Sequence, residues 1–182
     1  MENNNQIRVA ICGEARSGKD HFAEQLANQF RSEGKTVLKI AFADKIKSLY
    51  REFFPADLTH GKPRDAYLKI GNTFREIYPD VWVDALANDL EHLYLWDVII
   101  ITDLRFPNEA EFCESNGFTI FKTWANPEVR VKRAKELGEV LVLDNDGDIH
   151  VNGIDASFII DTTYNPEFED VYKDLKTIGW SV

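Results

Sequence analysis

What this chain of 182 residues has little of narrows its reading first. It holds two cysteines, Cys12 and Cys113. Two cannot build a disulfide framework, so a reducing cytoplasm is the simpler expectation. Basic residues are outnumbered, 21 Lys and Arg against 31 Asp and Glu, for a net charge of −10. No strong positive field invites a nucleic-acid backbone, so no nucleic-acid partner is expected. Val98-Ile99-Ile100-Ile101 is as long as any apolar run, far too short to cross a bilayer, and Met1 to Gln6 is polar. Neither a membrane span nor a leader is therefore expected. Four histidines, His21, His60, His92 and His150, show no metal-ligand spacing. No Cys/His or Ser/His pairing suggests a protein nucleophile. There is no internal repeat and no low-complexity segment. The remaining composition, 44% hydrophobic and 29% charged, is that of a single globular domain able to bury a core.

Against that background one stretch stands out, Gly13-Glu14-Ala15-Arg16-Ser17-Gly18-Lys19-Asp20. The apolar Ile7–Cys12 precedes it, and a helical pattern with Phe22, Leu26 and Phe30 at spacing four follows. Strand, glycine loop, lysine and helix form the layout of a P-loop. The glycines let successive backbone N–H groups turn toward phosphate oxygens. The helix N-terminus adds partial positive charge, and Lys19 adds a mobile ammonium for β- and γ-phosphates. Asp20 stands where Ser or Thr usually offers a hydroxyl to Mg²⁺; a carboxylate can hold the ion directly or through water. A glycine-rich βα turn with a helix-opening Asp would share this layout. His21, next along, is a candidate α-phosphate contact.

Further on, Thr36–Ala41 reads as a second strand, and Asp44 as the N-cap of a helix carrying Ile46, Leu49, Tyr50 and Phe53. Pro55 to Pro63 reads as loop, Arg64 to Glu76 as helix despite Gly71, and Pro79-Asp80 as the opening of a helix with Trp82, Leu86, Leu90 and Leu93 on one face. Trp96–Thr102 is an almost continuous apolar strand, the pattern of a parallel strand covered on both faces. Asp103-Leu104-Arg105-Phe106-Pro107-Asn108-Glu109 follows it, at the strand end where open α/β sheets bind ligands. Asp103 there suits water-mediated Mg²⁺ or a helix cap; Arg105 suits a phosphate clamp or a surface ion pair. Phe118–Thr123 and Ala156–Asp161 read as the last strands. Between them lie a basic helix from Pro127 with Arg130 and Arg133 on one face, and a Gly- and Asp-rich stretch to Asn152. Pro166 to Ile178 reads as a closing helix. The alternation argues a doubly wound α/β domain. The aromatics Phe42, Trp82 and Tyr164 read as core by default.

With the P-loop, Phe42-Ala43-Asp44, Trp82-Val83 and the 103–109 segment in view, the chain resembles the bacteriophage deoxynucleoside monophosphate kinases, of the adenylate-kinase-like P-loop kinases. The Ser17-Gly18-Lys19-Asp20 ending is similar to that group and to phosphomevalonate kinases. The resemblance implies a three-layer α/β/α fold on five parallel strands. It implies a monophosphate-binding insert at about 43–95, a lid at about 125–155, and transfer of the ATP γ-phosphoryl to a deoxynucleoside 5′-monophosphate with Mg²⁺. In its terms Lys19, Arg105, Arg130 and Arg133 serve the transferring phosphoryl. Residues 13–21, Arg130 and Tyr164 hold ATP. Phe42, Asp44, Lys45, Arg64, Arg75, Trp82, Asp103 and Arg105 surround the acceptor, and Asp20 and Asp103 organise the metal. A homodimer stays open. The rival readings are a dephospho-coenzyme-A or phosphomevalonate type of kinase, and a protein that binds ATP without transferring phosphate.

Overall fold

The computed structural model describes residues 6–55, 63–90, 92–143, 146–177 and 180. The expected loop at 55–63, His60 and the helix end at Ile178 lie wholly or mostly outside them. Five strands form one parallel sheet: β1 (Ile7–Gly13), β2 (Val37–Ile40), β3 (Val98–Leu104), β4 (Thr119–Trp124) and β5 (Phe158–Asp161). Their order is β2-β3-β1-β4-β5. The chain leaves β1 toward β2 on one side and later reaches β4 on the other. The crevice beyond the carboxyl ends of β1 and β3 is therefore the topological switch point, where such sheets hold ligands.

The strands are buried on both faces because their residues alternate between two cores. Val9, Ile11, Val98, Ile100 and Phe121 meet α1 (Lys19–Ser32) and α8 (Phe168–Thr177) through Phe22, Leu26, Phe30, Phe168 and Tyr172. Ala10, Cys12, Ile99, Ile101 and Ile120 meet α2 (Asp44–Phe53), α4 (Val81–Leu90) and α5 (Pro107–Ser115) through Ile46, Trp82, Leu86, Ala110 and Cys113. The result is a three-layer α/β/α fold, as expected. The remaining helices are α3 (Arg64–Ile77), α6 (Pro127–Glu136) and α7 (Asp146–Asn152). No helix among the described residues is long and apolar enough to cross a membrane. Both cysteines are buried and unbridged, and burial pushes the Cys12 thiol up to about 11.

Four local expectations are corrected. Asp44 opens α2 rather than capping it: Ala43 is the cap, and the Asp44 carboxylate reaches back to the Ala41 N–H, 2.9 Å away. Strand β3 runs on through Asp103 and Leu104. Its pairing passes from Ala10↔Ile101 to Cys12↔Leu104, so β3 carries one extra residue there, an irregularity of the bulge kind that re-aims side chains. The Gly- and Asp-rich stretch contains α7, where no apolar period marked an element. Helix α8 starts at Phe168, two residues beyond Pro166.

Candidate functional site

The loop between β1 and α1 takes its shape from three residues with positive φ, Gly13 (156°), Arg16 (64°) and Gly18 (90°). Glycine is required at 13 by space. A Cβ there would lie 2.3 Å from the Thr123 hydroxyl and 2.8 Å from the Thr123 carbonyl oxygen. Gly18 takes the left-handed conformation directly before α1, so the helix opens with its first N–H groups uncapped by any side chain. The Ser17 hydroxyl, fully buried, shares a 2.7 Å hydrogen bond with that of Thr123 on β4. The Thr162 hydroxyl, just past β5, donates to the Ser17 carbonyl at 2.7 Å. The loop is therefore pinned from both following strands, and a βα turn with a mere helix-opening Asp would need none of this.

The segment between β4 and β5 grips the same loop. Arg130 of α6 is 2% exposed. Its Nε donates to the Ala15 carbonyl (2.8 Å), and its terminal nitrogens donate to Glu14 (2.6 Å) and Asp148 of α7 (2.7 Å). The other Asp148 oxygen accepts the Ala15 N–H at 2.9 Å. Ala15 is thus held at both its backbone N–H and its carbonyl by a buried arginine–carboxylate pair. Arg133 donates to the Arg16 and Thr162 carbonyls and to the Asn165 side chain. Arg130 and Arg133, expected at a transferring phosphoryl, direct their guanidinium groups to the loop and its neighbours in this structure. Asp148 was not among the candidates. It lies 133 residues from Ala15 in an element without a pattern, so no local signal marks it.

Lys19 is different. Burial pushes its ammonium below its usual value, and the nearby charges of Asp20, Arg105, Asp148 and Asp103 all act on it. The lysine, the end of β3 and α7 therefore converge at the switch point. No hydrogen bond or ion pair engages the side chain of Lys19 or Arg105 among the described residues. Asp20 and His21 are exposed on the first turn of α1, and Tyr164 is 90% exposed in the β5–α8 loop.

The 103–109 segment acts as a joint. The two Asp103 oxygens accept the N–H groups of Phe42 (2.8 Å) and Ala43 (3.0 Å), fixing the β2–α2 turn; burial pushes its carboxyl up. Each Asp103 oxygen, expected near a metal, accepts one N–H of this turn. Among the described residues no group of three or more His, Cys, Asp or Glu is arranged to hold a metal ion. Asn108 donates to Pro79 and Asp80 before α4. Glu109, 2% exposed, accepts the N–H groups of Arg105 and Phe106 and the Arg75 guanidinium.

The other acceptor candidates divide. Phe42 and Trp82 are 2% and 3% exposed and pack into the core. Phe42 meets Phe112 edge-on, while Trp82 lies against Phe74 and donates to the Gly71 carbonyl. Lys45 pairs with Asp89, and Asp44 with Lys47. Phe42, Asp44, Lys45 and Asp89 line a cleft of about 50 Å³. Arg64 of α3 and Arg16 of the loop both pair with Glu139, beyond α6.

No family model matches the sequence, and no curated protein matches it. Solved structures do resemble the fold. A shikimate kinase from Bacteroides thetaiotaomicron superposes with a TM-score of 0.54 at 15% identity, over 94% of this chain and 98% of its own. A sugar kinase from Janibacter sp. HTCC2649 gives 0.51 at 13% identity, over 95% and 94%. The chain therefore has the P-loop kinase fold.

Proposed function

We propose that this protein is a phosphotransferase that moves the γ-phosphoryl of ATP onto a deoxynucleoside 5′-monophosphate. The observation that carries the kinase reading is the contrast among its cations. Arg16, Arg64, Arg130 and Arg133 have protein partners, and Arg75 stands between, with one hydrogen bond to Glu109 and the Phe106 ring face. Lys19 and Arg105, close enough for Arg105 to lower the lysine's pKa, have none among the described residues. Two unpaired cations at the mouth of a phosphate loop, in a chain of net charge −10, suit a polyphosphate and a second anion. Phosphoryl transfer needs little else, because its catalysis is positioning and charge stabilisation.

In this reading residues 13–20 cradle the ATP phosphates, Lys19 neutralises the β- and γ-phosphates, and His21 and Tyr164 border the nucleotide. Arg105 and Arg75 hold the acceptor's phosphate. Residues 43–95 form the acceptor side and 125–155 a lid. Asp20, exposed one residue beyond Lys19, fits a magnesium held mostly by phosphate oxygens and water. An ion held there would supply charge neutralisation on the phosphates.

A second reading keeps the chemistry and changes the acceptor, as the shikimate and sugar kinases of this fold suggest. One experiment separates them. Purified protein, ATP and Mg²⁺ are offered dAMP, dGMP, dCMP, dTMP, their ribose counterparts, shikimate, a hexose, dephospho-coenzyme A and phosphomevalonate, and ADP release is followed. The expected result is the highest kcat/KM on one or more deoxynucleotides. Turnover only on another acceptor overturns the substrate; ATP binding with no turnover on any overturns the kinase.

A further inference from the structure

We propose that Glu109 is the positioning residue of the acceptor-phosphate clamp: one buried carboxylate sets both Arg75 and the turn that carries Arg105. The proposal rests on the acceptor-site reading above and adds to it a residue that touches no substrate.

The geometry assigns each carboxylate oxygen a separate task. One oxygen accepts the N–H groups of Arg105 (3.0 Å) and Phe106 (3.1 Å), fixing the backbone from which the Arg105 side chain leaves β3. The other takes the Arg75 guanidinium from α3 at 3.2 Å. The same guanidinium lies 4.0 Å from the centre of the Phe106 ring, which holds its plane from a second direction. A single hydrogen bond and a ring face leave most of the five guanidinium donors of Arg75 uncommitted. The two arginines come from elements far apart in sequence, and among the described residues Glu109 is the one side chain that hydrogen-bonds to both.

A carboxylate buried to 2% exposure is costly unless its charge is used. A helix needs no buried acid at this position. Reaching back to the Arg105 and Phe106 N–H groups before α5 occupies one oxygen only; the oxygen on Arg75 has no capping task. The surroundings set the protonation of Glu109. Burial and the neighbouring Asp103 of β3 push it up to about 7, against the pull of the Arg105 and Phe106 N–H groups and Arg75. Cys113 lies one turn on along α5, and His150 of α7 lies across the Phe106 ring. Above that value the ionised carboxylate accepts from both sides. Below it the proton removes one acceptor and weakens the hold on Arg75 and the turn together.

The test uses binding, so it does not depend on turnover. Inorganic phosphate and dTMP are titrated calorimetrically into the wild type, Glu109→Gln, Arg75→Gln and the double variant at pH 8 and pH 5.5, with ATP titrated alongside. At pH 8 Glu109→Gln should weaken both phosphate ligands about tenfold, the size of one charged hydrogen bond, and leave ATP within about twofold. At pH 5.5 the wild type also holds a neutral side chain, so the ratio of variant to wild type should shrink toward one; ligand protonation cancels in that ratio. Arg75→Gln should show a similar loss at pH 8, and the double variant should be no worse than the worse single. Where Glu109→Gln does not fold, Arg75→Gln at the two pH values decides alone. Equal phosphate affinity of wild type and folded variants at pH 8 overturns the proposal. So does an equal loss for ATP and phosphate, or a loss unchanged at pH 5.5. A wild type whose phosphate and dTMP affinities depend on Glu109 in this way, but which transfers phosphate to no deoxynucleotide, refutes the proposed function and leaves this inference standing.

Discussion

The phosphate loop and the β3–α5 joint face each other across the switch point, and they use arginine in opposite ways. On the loop side charge is spent internally. Arg130 is closed by Glu14 and Asp148, Arg133 by carbonyls and Asn165, and Arg16 by Glu139. These residues build the loop, and only Lys19 is left for a ligand. On the joint side the carboxylates are the closed groups, Asp103 on the β2–α2 turn and Glu109 on two N–H groups and Arg75, while Arg105 is left open. An arginine near a phosphate site is therefore not by that fact a phosphate ligand. Its partners tell whether it shapes the site or serves it.

The largest effect should come from breaking the loop side. Arg130→Ala removes the guanidinium that pairs with Asp148, 2% exposed, and with Glu14, 12% exposed at the side chain. Removing one partner of a buried pair costs about 3–5 kcal/mol. The expected result is a fall of that size in unfolding free energy, read by urea denaturation. A stability within about 1 kcal/mol of wild type would mean that the clamp on Ala15 is not an energetic one. Lys19→Ala should act the other way round. Its ammonium is pushed down by burial and has no bonded partner among the described residues, so the fold should keep or gain stability while turnover falls by about 10²-fold or more. Phosphoryl transfer at the wild-type rate in that variant would remove the loop from the chemistry.

How much of this could be read beforehand follows the range of the interactions. The strands were legible because burial on both faces writes a local apolar run, as at Val98–Ile101. The loop was legible because steric need writes glycine at 13 and 18. The roles of Arg130 and Arg133 were not. Their spacing on α6 is the same whether they face phosphate, solvent or Ala15, and only the packing of α7 against β1 decides. Asp103 was expected just after the strand and lies within its carboxyl end, and the extra residue in β3 and its neighbour β2 determine where the carboxylate goes. Glu109 did carry a signal. It stands three residues after Phe106, with proline between, the spacing at which an acid reaches back to the N–H groups before a helix. Its bond to Arg75, 34 residues away, carries no such mark.

The smallest expected effect is the most direct probe of the contrast between the two sides. Arg105→Lys keeps the charge but replaces a planar fork of five donors by a single ammonium. If Arg105 built the fold, the change would break side-chain bonds and lower stability. It makes none among the described residues; only its backbone N–H is held, by Glu109, and lysine keeps that N–H. The denaturation midpoint should therefore stay within experimental error of the wild type. A phosphate monoester gripped by a bidentate fork should feel the loss, with KM for the monophosphate rising about tenfold, the value of one charge-assisted hydrogen bond. KM for ATP should move less than about twofold, because Lys19 and the loop N–H groups are untouched. A rise confined to ATP would move Arg105 to the donor side, and the two faces of the crevice would then share one ligand instead of holding two.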